Sequence, residues 1–242
     1  MLNVDYIRIN GRSSRDLGMK MDFSSFQWNS TAHARTVTSI PGLSGDRQYS
    51  DNRFVNVKQT FPFAIESFQQ PLLQVQSSIS QWLNPIADYM PLFFSVLPDY
   101  FLEAVPVSDN AQLSWVDRWT GMLSLTFDCK PYMKRFDGDQ YTSSSTIKNV
   151  EQATALPLIH ITGSGNVTVV VNDVTYTIND LDGDAFIDSE LEETYDADGS
   201  SLADSTQFVD HNYPILVPGE NTIGHSDGIT ALEVKPRWRK LM

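Results

Sequence analysis

The stretch Val167-Thr168-Val169-Val170-Val171-Asn172-Asp173-Val174-Thr175-Tyr176-Thr177-Ile178 decides how the second half of the chain is read. Val167, Val169 and Val171 fall on one side of an extended backbone and Thr168 and Val170 on the other, the two-residue period of a strand. Asn172-Asp173 supplies two residues that tolerate left-handed backbone, and Val174, Tyr176 and Ile178 then return along one face. Working outward, residues 158–161 form a strand before Gly163-Ser164-Gly165-Asn166. Residues 185–188, 214–217 and 230–234 add further short strands, with Asp182-Gly183 and Pro218-Gly219-Glu220-Asn221 read as turns. This half has no helical period. Short strands between turn signals over about a hundred residues imply an antiparallel β-sandwich.

Toward the start of the chain the pattern is strands plus one helix. Tyr6-Ile7-Arg8-Ile9 ends at Asn10-Gly11, a favoured two-residue hairpin turn. A second turn region, Ile40-Pro41-Gly42-Leu43-Ser44-Gly45-Asp46, separates residues 35–40 from a longer run, 53–65. In that run Val55 and Val57 share one face and Asn56 and Lys58 the other. The hairpin implied is long, polar on one side, and expected to project from the body. After Pro71, placed at the first helical position, Leu72, Val75, Ile79, Trp82 and Leu83 recur at three- and four-residue spacing until Asn84-Pro85 ends the helix. Gln and Ser stand opposite this stripe instead of Lys or Arg, so it reads as a core-packing face and not a membrane anchor. Residues 92–97, 100–107 and 122–129 read as strands. The fold class is therefore mainly β: an N-terminal sandwich- or barrel-like domain with one helix and a projecting hairpin, and a C-terminal antiparallel sandwich.

Composition narrows the functional classes. Of 242 residues 41% are hydrophobic and 19% charged, which excludes a disordered chain. Thirty acidic against 17 basic side chains, net −13, argue against general nucleic-acid binding or an anionic-membrane surface. A single cysteine excludes a disulfide framework and a Cys-based zinc site within one chain. No apolar run reaches the length of a membrane span and the first ten residues show no signal-peptide pattern, so a soluble, non-exported protein is expected. The charge is uneven. Residues 149–234 contain 16 acids and no Lys or Arg, while the remainder balances at +3. With the polar run 137–146 as a connector, two domains are expected, 1–136 and 137–242.

Candidate chemistry does not accumulate. The chain has no phosphate-binding glycine loop, no HExxH helix and no GxSxG elbow, since Gly42-Leu43-Ser44-Gly45 has the wrong spacing. His33, His160, His211 and His225 show no spacing that suggests a metal or a triad, and Cys129 reads as a small buried hydrophobe. Asp180, Asp182 and Asp184, followed by Asp188, Glu190 and Glu192, imitate a calcium loop. Its sixth position is Ala185 where a sharp turn needs Gly, and a solvated acidic face explains these residues better. Tyr176, Tyr195, Phe208 and Tyr213 could face a sugar, although at least half should be core. No catalytic, cofactor-binding or metal-binding residue is assigned, and no cofactor is expected.

Taken together, several segments resemble the distal tail proteins (the Dit family) of long-tailed phages, the siphoviruses, of the type infecting Gram-positive bacteria. They are Ile7-Arg8-Ile9-Asn10-Gly11 with Asp16-Leu17-Gly18, then Ile40-Pro41-Gly42-Leu43-Ser44-Gly45, Gln81-Trp82-Leu83, Pro98-Asp99-Tyr100 with Val105, and Leu123-Ser124-Leu125-Thr126-Phe127-Asp128-Cys129-Lys130-Pro131-Tyr132. Ala185-Phe186-Ile187-Asp188-Ser189-Glu190, Pro214-Ile215-Leu216, Pro218-Gly219-Glu220-Asn221-Thr222-Ile223 and Pro236-Arg237-Trp238-Arg239 follow in family order. The resemblance implies a virion structural protein at the distal end of the tail, made in the bacterial cytoplasm. It implies a homo-hexameric ring, possibly two rings back to back, built by the first domain, with a galectin- or carbohydrate-binding-module-like second domain. The implied partners are the tail tube protein, the tail-associated protein or fibre, and receptor-binding proteins, with no nucleic-acid sequence recognition and no membrane insertion. The alternative is a carbohydrate-binding module for host cell-wall glycans; an acid-dependent hydrolase is a distant third.

Overall fold

The computed structural model describes residues 5–66 and 71–242. The chain packs as two compact units: one runs through Met133 and takes back Leu241–Met242, and the other is Lys134–Lys240. The protein is mainly β.

In the first unit, β1 (Ile7–Ile9), β2 (Arg12–Ser13), β3 (Met19–Met21), β6 (Val57–Glu66), β7 (Met90–Phe94), β8 (Tyr100–Trp115) and β9 (Thr120–Arg135) join in the order β2-β1-β7-β8-β9-β6-β3. The hairpin β4 (His33–Thr38) and β5 (Arg47–Phe54) forms a sheet of its own. Asn10-Gly11 turns β1 into β2 as expected, with Ile9 opposite Arg12. The helix α1 (Leu72–Leu83) buries Leu72, Val75, Ile79, Trp82 and Leu83, the stripe expected from spacing, against Ile7, Ile9, Phe61, Phe63 and Phe127. Trp82 Nε1 donates to Ile9 O at 3.0 Å, so the indole is buried without an unmet donor. Pro71 stands one position earlier than expected, as the extended residue capping the helix. Gln59 is fully buried; its amide accepts from Asn29 N–H and donates to Gln27 O and Thr60 O, fastening the segment that carries Phe26 and Trp28 onto the core.

The run 53–65 is not one strand. The chain bends at Val55-Asn56, leaving Phe54 in the exposed hairpin and starting the buried strand β6 at Val57. Asn56 explains the break: its Nδ2 donates to Tyr89 Oη and Asp128 Oδ2, and Tyr89 also donates to Asp128, drawing the backbone out of the ladder. Val55 is consequently exposed while Val57 is buried, and the hairpin strand pairing with residues 35–38 is 47–50. The strands expected at 100–107 and 122–129 continue to Trp115 and Arg135, forming a hairpin twice as long. Its turn lies on the helix start, where Arg118 O accepts from Leu72 N–H.

The second unit contains β10 (Thr146–Asn149), β11 (Leu158–Val171), β12 (Val174–Asp188), β13 (Glu193–Asp196), β14 (Thr206–Phe208), β15 (Gly219–His225) and β16 (Ile229–Lys235). β17 (Arg239–Leu241) then pairs with β9. Asn172 and Asp173, at φ 50° and 67°, make the predicted two-residue turn, with Val171 opposite Val174. Gly163-Ser164-Gly165-Asn166 and Asp182-Gly183 are not turns. They lie opposite each other inside β11 and β12, Gly163 facing Gly183, at a register shift between Gly165 and Val167. The long hairpin bends there. Beyond the bend β11 pairs with β15 and β12 with β14; before it, β11 pairs with β16 and β12 with β13. The inward residues of both halves, among them Ile159, Ile161, Val169, Tyr176, Ile178 and Ile187, share one core, which makes the two halves the layers of a sandwich. Gly163 is required by contact: a Cβ there would lie 2.5 Å from Gly228 O.

Residues 214–217 form only a single bridge, Ala155 with Leu216, and Pro218-Gly219-Glu220-Asn221 enters strand β15 instead of forming a separate turn. Buried Asn221 organises this entry. Its Oδ1 accepts from Val217 N–H and Asn172 Nδ2, and its Nδ2 donates to Val217 O and Gly219 O. The polar run after residue 136 is packed too: Gly138 O accepts from Arg237 N–H, and Thr142 bridges Val234. Among the described residues no helix is long and apolar enough to cross a membrane. Replacing Asn221 by Ala removes four hydrogen bonds at once and is expected to destabilise the second unit by about 2–4 kcal/mol; chemical denaturation of the variant checks this.

Candidate functional site

The β4–β5 hairpin is the most unusual surface of the first unit. Between Arg35 and Arg53 every residue is exposed, on both faces of the ribbon. Val37, Leu43 and Tyr49 are 55%, 59% and 53% exposed. Arg47 lies over the Tyr49 ring at 5.6 Å, and Arg53 pairs with Asp51 in solvent, a contact of little energetic weight. Among the described residues the ribbon is fastened only at its base: His33 packs on Phe54 at 4.3 Å, Phe54 on Tyr132 edge-on, and Thr31 Oγ1 donates to Val55 O. A two-stranded ribbon with neither face covered has marginal stability by itself, and its backbone edges remain available to another chain. A second exposed apolar surface, Trp115, Val116 and Trp119, surrounds the β8–β9 turn.

In the second unit an aromatic ladder crosses the outer face of the sheet. Phe186 stacks on His160 at 4.5 Å and on Tyr195 at 5.3 Å. His160 faces Asp184 at 3.1 Å and Glu233 at 3.7 Å, and Asp184 also accepts from Thr162 Oγ1 at 2.6 Å. These hydrogen bonds, Thr162 foremost, hold the Asp184 carboxyl below its ordinary range. Nearby, Arg237 forks onto Asp188 at 2.7 and 2.9 Å, and Lys134 pairs with Glu190 at 2.7 Å. Burial alone would push Asp188 up; the guanidinium and the N–H groups of Leu191 and Glu190 outweigh it and hold the carboxyl below the usual range.

The residues singled out in sequence are dispersed. Asp180 N–H is held by Asn166 Oδ1, Asp184 belongs to the His160 cluster, and Asp188 and Glu190 are ion-paired, so the calcium-like spacing does not converge. Among the described residues no group of three His, Cys, Asp or Glu is placed to hold a metal. His211 sits in a short turn and His225 is exposed. Cys129 is fully buried, and burial with Asp128 beside it pushes its thiol up to about 12, which makes it inert. Tyr176 is core; Phe208 packs edge-on between Tyr176 and Tyr213.

No family model and no curated protein matches the chain in sequence. Solved structures do match it in shape. The crystal structure of the SPP1 Dit (gp 19.1) protein, described as a paradigm of the hub adsorption apparatus in Gram-positive-infecting phages, aligns over 96% of this chain and 97% of its own, with a TM-score of 0.69 at 12% identity. The fold is that of a phage distal tail protein. A chain of the phage P2 baseplate, in its activated conformation with Ca, aligns over 95% of this chain and 96% of its own, with a TM-score of 0.50 at 9% identity. The distal-tail fold thus spans both units, and at these identities the shape agrees where the side chains do not.

Sequence reasoning missed the extension of the β8–β9 hairpin, although Ala111, Leu113 and Trp115 alternate with Gln112 and Ser114. It also missed the aromatic ladder, whose members lie on three different strands and meet only through register. The Asp188–Arg237 pair yields a pH prediction. In the native protein Asp188 adds stability above about pH 4 that is lost as pH falls through its lowered folded value. Arg237→Leu leaves a buried unpaired carboxylate, costs about 3–5 kcal/mol at pH 7, and inverts the sign, because Asp188 is then raised by burial and gains from protonation. The stability gap between the two proteins should narrow between pH 7 and pH 4 in paired denaturation curves.

Proposed function

We propose that this chain is a structural hub at the distal end of a phage tail, assembling as a hexameric ring that joins the tail tube to the tail-associated protein and host-binding components, without catalysis. The match to the SPP1 Dit fold over nearly the whole length is the observation that carries this reading. The chemistry of the surface supports it. A closed ring needs a heterologous contact, one patch meeting a different patch on the neighbour. The β4–β5 hairpin supplies such a patch: exposed apolar side chains on a ribbon whose edges can extend a neighbour's sheet by backbone hydrogen bonding.

The second unit carries 18 acids and 7 bases, net −11, once its flanking Lys and Arg are included. Copies of it repel one another, so ring cohesion is assigned to the first unit. Replacing residues 35–53 by Gly-Gly joins Ala34 to Phe54 near the hairpin base and should leave a folded subunit. Light scattering on a sizing column is expected to give about 163 kDa for six chains of 27.2 kDa, or about 326 kDa for two stacked rings, and the subunit mass for the variant. A variant that keeps the assembled mass would remove the hairpin from the interface. A full-length chain that stays monomeric at every concentration would remove the ring.

A further inference from the structure

Strand β8 outruns the strand beside it. β7 pairs with β8 only from Phe101 to Ala104, yet β8 continues to Trp115. Among the described residues no strand pairs with the outer edge of β8 from Val105 onward, so a row of backbone N–H and C=O groups is left open. Sheets usually blunt such an edge with Lys and other charges. This one has Pro106 at its start, then a single acid, Asp109, and no Lys or Arg as far as Trp115. The edge is also firmly held. Ala111 and Leu113 lean on the core of the first unit, and a Cβ on Gly121 would meet Ser114 O at 2.8 Å. Asp117 closes the turn, its carboxylate accepting from Trp119 N–H, Thr120 N–H and Thr120 Oγ1. Trp115 continues the row of Ala111 and Leu113 past the end of the core and is exposed, as are Val116 and Trp119.

The exposed ribbon has the complementary need. β5 pairs with β4 along one edge and, among the described residues, with nothing along the other. Its eight residues match the open stretch 107–115 in length. Its arginines, Arg47 and Arg53, meet no cation along that stretch, and guanidinium groups stack well on indole faces. Trp119 already carries Arg118 at 5.1 Å, so Trp115 is the indole offered. The two elements stand at opposite ends of β9. Phe54, at the ribbon base, packs on Tyr132, whereas Val116 N–H donates to Thr120 O at the other end. Twelve residues of strand, about 40 Å, separate these points. One end of a subunit meeting the opposite end of the next is the geometry of a head-to-tail ring. We infer that the open edge of β8 between Val107 and Trp115 receives the β4–β5 hairpin of a neighbouring copy of this chain, with β5 adding to the sheet as an outer strand and Trp115 packing against it. This rests on the hexameric reading and names the second of the two patches that a ring requires.

Cysteine cross-linking of the full-length protein tests this, because the native Cys129 is buried and stays silent. Gln48→Cys, Ser50→Cys or Asn52→Cys on the ribbon is combined with Gln112→Cys or Ser114→Cys on β8, all at exposed positions. A disulfide forms only where the two Cα atoms come within about 7 Å. At least one combination should give, under mild oxidant, a covalent ladder from dimer to hexamer on non-reducing gels. Each single variant should stop at the dimer, since one cysteine can join only two chains. Trp115→Glu should lower the assembled fraction at least tenfold at fixed concentration and leave the melting temperature of the dilute subunit unchanged. An assembled mass by light scattering with no ladder from any combination would overturn the receiving surface and leave the ring standing. Subunit mass for the unmodified protein at every concentration would overturn both. Cross-links confined to single chains would place the ribbon on its own β8, and unchanged assembly of Trp115→Glu would leave the indole outside the contact; either would overturn the inference.

Discussion

A strand has to close its backbone hydrogen bonds and cover an apolar face, and each long hairpin of this protein meets that demand differently. β11 and β12 bend at Gly163 and Gly183, so that one hairpin supplies both layers of its own sandwich. β8 and β9 lie in the eight-stranded sheet and end on the first turn of α1, whose Leu72 N–H finds its acceptor at Arg118. Among the described residues β4 and β5 pair only with each other, and from Arg35 to Arg53 both faces stay in solvent. The hairpin left uncovered by its own fold is the one we assign to the neighbouring subunit.

The same demand separates what could be read in sequence from what could not. α1 was legible because its apolar stripe and its proline-bounded ends are local properties. The Val167–Ile178 hairpin was legible for a similar reason: Asn172-Asp173 suits left-handed backbone wherever it occurs. Glycine-rich stretches were ambiguous. A turn and a bulge need the same residues, and only the strand opposite tells them apart; Gly163 and Gly183 face each other across a ladder that neither segment encodes alone. The end of the exposed hairpin was misplaced because Asn56 is tied to Tyr89 and Asp128, partners 33 and 72 residues away.

Charge shows this limit in another form. The window 149–234 has no Lys or Arg, which by itself reads as an uncompensated acidic domain. In the folded unit the cations come from just outside that window: Lys134 and Arg237 close on Glu190 and Asp188, and Arg135 on Glu151. The acids that remain unpaired are largely solvent-facing, and their repulsion keeps like units apart instead of opposing the fold.

We assign the completion of the β4–β5 hairpin to a second chain. Hydrogen–deuterium exchange at the amides of residues 35–38 and 47–54 tests it most directly, comparing the assembled protein with the same protein diluted below its association threshold. Protection of these amides should rise on assembly by at least tenfold, while the amides of β6 and β12, which are already inside covered sheets, should change little. Equal and rapid exchange of the hairpin in both states would show that no neighbour covers it, and would contradict the assignment.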